Sequence, residues 1–525
     1  MTTTMMITIP MLLCFFGLMI GVGLYCRKHS TNVEGFVLGG RSVGPWLTAF
    51  AFGTSYFSAV IFVGYAGQFG WDFGLASTWI GLGNAFIGSL LAWSILGRRT
   101  RVMTQHLGSK TMPDFFEKRY DSKTLKVIAS FIVFIFLIPY TASLYNGLSS
   151  LFNNVFAIDY WVIVVVMSVL TGVYVIFGGY MATAINDFIQ GIIMLAGIVA
   201  VITSVLMKNG GFNVAVDALG VKAGAQHISL LGPKPEFLLF VVLLTSLGTW
   251  GLPQMVGKFY SIKDEGSIKK GTIISTVFAI IVAGGCYFLG GFGRLYEDKM
   301  IESGFAAGGK VLFDKVVPTM LSDLQPVIVA LVIVLVLSAS MSTLSSLVLT
   351  SASTITLDVV KPAAKKELSE KKSVFIMRLF IVFFIVISAV IAILKDSIWA
   401  DNMFIAQMMG VSWGALAGAF LAPFMYGLYW KKTTKAGVVA SFIFGVGLEL
   451  VQLCISVGWL SVANSTVLSF VFTNSLYSGV FAMVGGLILV PVVSLFTQKT
   501  LPENINEKFS CYDEKVVTNK KASLG

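Results

Sequence analysis

The sequence predicts an all-α polytopic membrane protein of about thirteen transmembrane helices, and three observations predict it. Hydrophobic residues make up 56% of the 525 and charged residues 12%, where a soluble domain carries roughly 25% charged. Apolar runs of about 20 residues, each long enough to cross a hydrocarbon core of about 30 Å, recur through residue 497. The basic residues are then distributed unequally between alternate connections.

The runs lie near residues 5–25, 46–68, 73–97, 125–153, 158–178, 183–207, 235–257, 271–293, 325–353, 374–394, 403–429, 434–459 and 473–497. The first, Thr8 to Tyr25, has no basic residue before it and no small-residue cleavage site after it, so it reads as a retained helix rather than a secretory signal. With the N-terminus outside, 29 of the 37 Lys and Arg fall on cytoplasmic connections. Basic loops resist translocation, which sets the chain N-out and C-in. The net charge of +11 then faces anionic lipid and implies no nucleic-acid partner. Lys361, Lys365, Lys366, Lys371 and Lys372 read as one solvated cytoplasmic loop.

Five cysteines, Cys14, Cys26, Cys286, Cys454 and Cys511, show no metal-ligand spacing and predict neither a disulfide framework nor a zinc site. His29, His106 and His227 sit far apart in loops and read as solvated surface. The connections at 208–234 and 294–324 are too short for separate domains. The chain divides into a first helix and cytoplasmic connection (1–45), a first five-helix unit (46–207), an outer loop (208–234), a second five-helix unit (235–429), two C-terminal helices (430–499) and a polar, flexible tail (500–525).

Polar groups inside hydrocarbon are costly and mark a pathway, a partner or a helix contact. In the ninth run, hydroxyls at Ser338, Ser342, Ser345 and Ser346 recur at helical spacing and line one face with oxygen. Such a face suits a hard monovalent cation; small residues also permit close helix packing, and spacing alone does not choose between them. The second run is interrupted at Gly53-Thr54-Ser55-Tyr56-Phe57-Ser58, and the seventh at Thr245 to Gln254, which includes Gly248, Gly251 and Pro253. Paired interrupted helices, each opening a five-helix unit, mark inverted-repeat transporters with a site at the repeat interface. The units are runs two to six and seven to eleven. Asp187 enters the sixth run and needs a partner, either a cation or a basic loop. Glu449 lies outside the repeats, and contact with Gln452 or a peripheral role is expected of it rather than coupling; no Lys or Arg is expected deep in a core span.

On three motifs the chain resembles the sodium/solute symporter family, most closely its bacterial sodium/proline-type members, along nearly its whole length. Phe36 to Pro45 resembles the motif ahead of the family's second span, Gly178-Gly179 through Asp187 and Gln190 its signature, and Met341 to Ser345 its sodium motif. The resemblance implies a leucine-transporter-type five-plus-five inverted repeat with one extra helix before and two after. It implies Na+ as coupling ion, held by the carbonyls of Thr54, Phe57 and Ala339 and the hydroxyls of Ser342 and Thr343, with Ser345, Ser346 and Asp187 as a second sodium position. It also implies inward sodium flux driving uptake of a small organic solute by alternating access, in a bacterial cytoplasmic membrane, with no organic cofactor. Polar and aromatic groups near the expected interface, Ser58, Gln68, Asn84, Tyr140, Thr249, Trp250 and Trp413, are the substrate-binding candidates.

The chain departs from the proline transporters at Tyr56, where they carry aspartate, and at Leu252, where they carry glutamine. It lacks the arginine that similar sialic-acid carriers set against a carboxylate in the span matching Leu125 to Phe152. The substrate classes left open are an amino acid such as proline, a monocarboxylate, a vitamin, and a sugar or sugar acid. An uncoupled channel lined by the hydroxyl stripe is the alternative. An embedded enzyme would need clustered carboxylates, histidines or a metal motif, which the sequence does not offer. The sequon Asn464-Ser465-Thr466 is compatible with a eukaryotic host but arises readily by chance.

Overall fold

The structure is a computed structural model and describes residues 3–27, 30–156, 158–307, 310–398, 405–462 and 465–513. His29, Asn464 of the sequon, tail residues 514–525 and the side chain of Tyr56 lie outside that description.

Helix dominates because a chain in hydrocarbon must pair each backbone N–H and C=O within its own segment. The order is α1 (Thr3–Cys26), α2 (Val33–Leu38), α3 (Pro45–Tyr56), α4 (Val60–His106), α5 (Met112–Tyr120), α6 (Lys123–Phe156) and α7 (Tyr160–Lys208). Then come α8 (Phe212–Ala223), α9 (Pro235–Gly251), α10 (Pro253–Tyr260), α11 (Glu265–Gly290), α12 (Pro326–Ala363) and α13 (Glu370–Ile398). The chain closes with α14 (Ile405–Tyr429), α15 (Lys435–Ser456), α16 (Ser475–Phe496) and α17 (Ile505–Ser510). Among the described residues, ten helices are long and apolar enough to cross a membrane, or eleven if the bent pair α9–α10 counts as one span. That count falls below thirteen partly because runs merge. α4, with 47 residues, takes in the later part of the second run and all of the third, and α7, with 49, takes in the fifth and sixth.

The merger in α7 is interrupted at Gly179, whose φ of 56° and ψ of −149° are not helical. A Cβ there would stand 2.8 Å from the Phe36 carbonyl oxygen, so the position needs glycine for both its backbone angle and its neighbour. At the centre, α12 packs on α7 and α3, while α3 also packs on α11. α14, α15 and α16 form a compact group, joined to the centre mainly through α14 on α6.

The two outer connections carry structure of their own without forming separate domains. Residues 208–234 contain α8, and residues 294–324 contain short helices and a hairpin pairing Ala306–Ala307 with Lys310–Val311. His227 is buried rather than solvated, because its backbone closes on Gly74. The described part of the tail is docked rather than loose. Lys508 pairs with Asp121 at 2.7 Å, and the Tyr512 hydroxyl donates to the Leu428 carbonyl at 2.8 Å. Glu449 accepts from Ser478 on α16 at 2.8 Å, whereas Gln452 bonds Ser456. No disulfide forms among the described residues.

Ahead of α3, the motif residues Gly39, Gly40 and Arg41 all have positive φ (56°, 68° and 53°). This tight turn sends the Arg41 guanidinium into the chain, where it donates to the carbonyls of Ser109 and Tyr260, at 2.5 and 3.2 Å. Val43 then pairs in parallel with Ile262, through Val43 N–H to the Ser261 carbonyl and Lys263 N–H to the Val43 carbonyl, each 3.0 Å. The start of α3 and the end of α10 are thereby stitched together.

Candidate functional site

Both interrupted runs break where the sequence places the interruptions. Phe57 closes α3 in an extended conformation (φ −88°, ψ 115°), and Leu252 separates α9 from α10 with nearly the same angles (φ −83°, ψ 119°). The α9–α10 bend is 47°. An extended residue inside a helix frees carbonyls that have no intrahelical donor.

At the first break those carbonyls meet α12. The Ser342 hydroxyl lies 3.1 Å from the Thr54 carbonyl oxygen and 3.0 Å from that of Ala339. The Thr343 hydroxyl lies 3.1 Å from Thr54 O, 3.3 Å from Phe57 O and 3.1 Å from Ala339 O. Five oxygens, three carbonyl and two hydroxyl, thus converge in a fully buried position. Two hydroxyl protons cannot satisfy all three carbonyls, so the group has surplus acceptor capacity of the kind a hard cation uses. Ser340 supports the break by accepting from Ala59 N–H at 3.3 Å.

One turn further along α12, Ser345 donates to its own helix at the Ser342 carbonyl, 2.9 Å away. Ser346 shares a 2.9 Å hydrogen bond with Ser55 and accepts from Lys258 Nζ at 3.0 Å. Lys258 Nζ also lies 3.5 Å from Asp187 Oδ2, and all four residues are buried. Contrary to the expectation of no basic residue deep in a core span, Lys258 reaches inside. Proline at position 253 starts a new helix that runs to Tyr260, beyond the predicted end of the run at 257. A proline at N1 marks a helix start, and continuing that helix past the end of the hydropathy run would have placed Lys258, and Gln254 one turn before it, on the wall of the interior.

The substrate candidates do not form one group. Tyr140 and Trp413 meet edge to face, ring centroids 6.0 Å apart, where α6 and α14 flank the stretch that follows the first break. Ser58 Oγ and Gln68 Oε1 are buried without a hydrogen-bond partner among the described residues. Asn84 accepts from Ser246 at 3.2 Å, and its Nδ2 has no partner there. Thr249 and Trp250 are already engaged: the hydroxyl donates to Ser246 O at 2.8 Å and the indole N–H to Ile87 O at 3.0 Å, which anchors α9 to α4. Gln254, which is not among the substrate candidates, is buried with both amide atoms unpartnered among the described residues and lines a cleft of about 50 Å³ with Tyr180, Lys258 and Ser346. No group of three His, Cys, Asp or Glu placed to hold a metal occurs among the described residues.

The profile of the sodium:solute symporter family matches residues 36–445, which include both breaks, the five-oxygen group and Asp187. The chain belongs to that family. It is a sodium-coupled solute symporter, a multi-pass membrane transporter and not an enzyme. Among its relatives, the osmoregulated proline transporter OpuE of Bacillus subtilis is 29% identical over 97% of this chain and 98% of its own length. The sodium/proline symporter of Staphylococcus aureus is 28% identical over 85% of each. A solved substrate-bound, outward-open state of a Na+-coupled sialic acid symporter shares the fold, with a TM-score of 0.71 over 93% of this chain and 98% of that one at 18% identity.

Proposed function

We propose that the symporter binds sodium at the carbonyls of Thr54, Phe57 and Ala339 and the hydroxyls of Ser342 and Thr343, and uses it to drive inward transport of a small organic solute. The observation that carries this reading is the convergence of those five oxygens between a broken helix and a continuous one. Ion binding there joins α3 to α12, and the stretch after the break leads to Tyr140 and Trp413. Occupancy of the ion site therefore fixes one wall of the solute pocket, which couples the two ligands without direct contact.

The topology we propose has thirteen crossings, with α4 and α7 each supplying more than one passage, arranged as a five-plus-five inverted repeat with one helix before and two after. The N-terminus is outside and the C-terminus cytoplasmic, supported by the excess of basic residues on one side, 28 of 37 once the buried Lys258 is set apart from the 29. One sodium ion entering across ~100 mV gains ~2.3 kcal/mol, and a tenfold gradient adds about 1.4. That suffices for roughly 500-fold accumulation of a neutral solute. Coupling through α3 and α12 favours symport over an uncoupled channel.

The named relatives carry proline, but Tyr56 and Leu252 stand where the proline pattern has aspartate and glutamine, so proline is one candidate among neutral amino acids, monocarboxylates, vitamins and sugars. A thermal-shift panel of these solutes, each with and without sodium, followed by proteoliposome uptake, tests the reading. A solute that stabilises the protein only with sodium supports it. Saturable uptake indifferent to sodium, or non-saturating flux, overturns it.

A further inference from the structure

Asp187 is fully buried on α7, away from bulk solvent. A buried carboxylate of this kind needs a cation beside it. Lys258 Nζ is 3.5 Å from Asp187 Oδ2, 3.0 Å from Ser346 Oγ and 5.3 Å from the centre of the Tyr180 ring. The ammonium thus has a carboxylate, a hydroxyl and an aromatic face around it, a complete environment for a monovalent cation. Ser346 and Asp187 are two of the three residues that the family resemblance assigns to a second sodium ion. The third, Ser345, donates to its own helix.

We propose that Lys258 is a tethered replacement for a second sodium ion, so that this symporter binds one sodium per chain. This rests on the sodium site proposed above. A free sodium beside Asp187 and Ser346 would stand within a few ångströms of the ammonium, and two unit cations that close in a low-dielectric interior repel strongly. The tether also acts on the first site. Ser346 hydrogen-bonds Ser55, which directly follows Thr54, the residue whose carbonyl faces both Ser342 and Thr343. The ammonium therefore joins α10, α7 and α12 permanently, where a diffusible ion would join α7 and α12 only when bound.

Removing the ammonium leaves a carboxylate without its cation beside a cleft of about 50 Å³ that Lys258 and Ser346 line, room enough for a small ion. Asp187 Oδ1, buried and without a partner among the described residues, adds a further oxygen. Equilibrium binding of 22Na+ to the purified full-length protein, with no solute present, tests the proposal. The wild type is expected to bind one ion with a Hill coefficient of one, and Lys258→Met two ions. Asp187→Asn/Lys258→Met, which removes both charges, is expected to bind one. Thr343→Ala/Lys258→Met is expected to keep one ion at the second position. Two ions bound to the wild type overturn the proposal, as does one ion bound to a folded Lys258→Met. If Lys258→Met does not fold, the wild-type count and the neutral double variant decide. No binding to the wild type is a different failure, that of the proposed sodium site itself.

Discussion

The two helix breaks have almost the same backbone and opposite uses. Phe57 and Leu252 are both extended within a few degrees of each other. At the first break the freed carbonyls face hydroxyls on α12, and the group is rich in acceptors. At the second, Thr249 and Trp250 spend their donors on carbonyls of α4 and on their own helix, and the restarted α10 contributes a long basic side chain instead. A break in a helix therefore creates an opportunity for ion binding, and the neighbouring helix decides whether the opportunity is taken. Where α12 brings hydroxyls, the result is an oxygen cage; where α4 brings carbonyls, the result is an anchor.

The contrast breaks most readily at Thr343, whose hydroxyl faces three carbonyls. Loss of one oxygen–ion contact, taken as comparable to a hydrogen bond to a charged group, costs about 1.5–3 kcal/mol, so Thr343→Ala should weaken sodium binding roughly 10- to 150-fold, read from the sodium dependence of uptake in proteoliposomes. Unchanged sodium dependence would remove the ion from the first break. Trp250→Phe tests the other side. It deletes the bond to Ile87 O and should lower thermal stability by about 1 kcal/mol while leaving sodium affinity alone; a sodium effect larger than the stability effect would mean that the second break also serves the ion.

Asp264 caps α11, into which the second broken helix feeds, by accepting from Ser267 N–H at 2.7 Å. Asp264→Ala should cost about 1 kcal/mol of stability, measured by thermal unfolding. Slight burial raises the Asp264 carboxyl, but the Ser267 hydrogen bonds and nearby Lys263 and Lys270 outweigh it and hold the group below the ordinary aspartate value. A lowered folded-state value means that the stabilisation is present at neutral pH and is lost as pH falls through that value, so the gap between wild type and Asp264→Ala should close on acidification. A gap that widens in acid contradicts the cap. The smallest effect is expected at Ser345, which serves its own helix. Ser345→Ala should shift sodium dependence less than about threefold, and a larger shift would place its hydroxyl on an ion.

What the sequence displayed depended on the length scale of the signal. Ser342 was legible because helical spacing sets it on the hydroxyl face, and the break at residues 53–58 because a glycine and hydroxyls interrupt an apolar run; Thr343 and the carbonyl roles of Thr54, Phe57 and Ala339 came only with the family resemblance. Lys258 was hidden because average hydropathy ends a span at the first charge, although Pro253 five residues earlier announces a new helix. His227 and the tail were misread for a related reason: their burial comes from partners far away in sequence, Gly74 for one and Asp121 for the other, and no local pattern reports it. The merged helices α4 and α7 conceal run boundaries because each turns on a single positive-φ glycine, Gly74 in α4 and Gly179 in α7, with helix resuming directly on either side.

The docked tail has a bearing on how the protein is made. Arg119, buried on α5, lies against the Phe509 ring at 5.0 Å, and Arg99 lies over Tyr512 at 4.4 Å. Lys508 meets Asp121 across a sequence separation of 387 residues. The segment that shields these two arginines is thus translated long after them, and the face built by residues 98–121 stays unsealed until residues 508–512 have been made. The final assembly step on that face is the arrival of a short aromatic segment rather than the insertion of another helix.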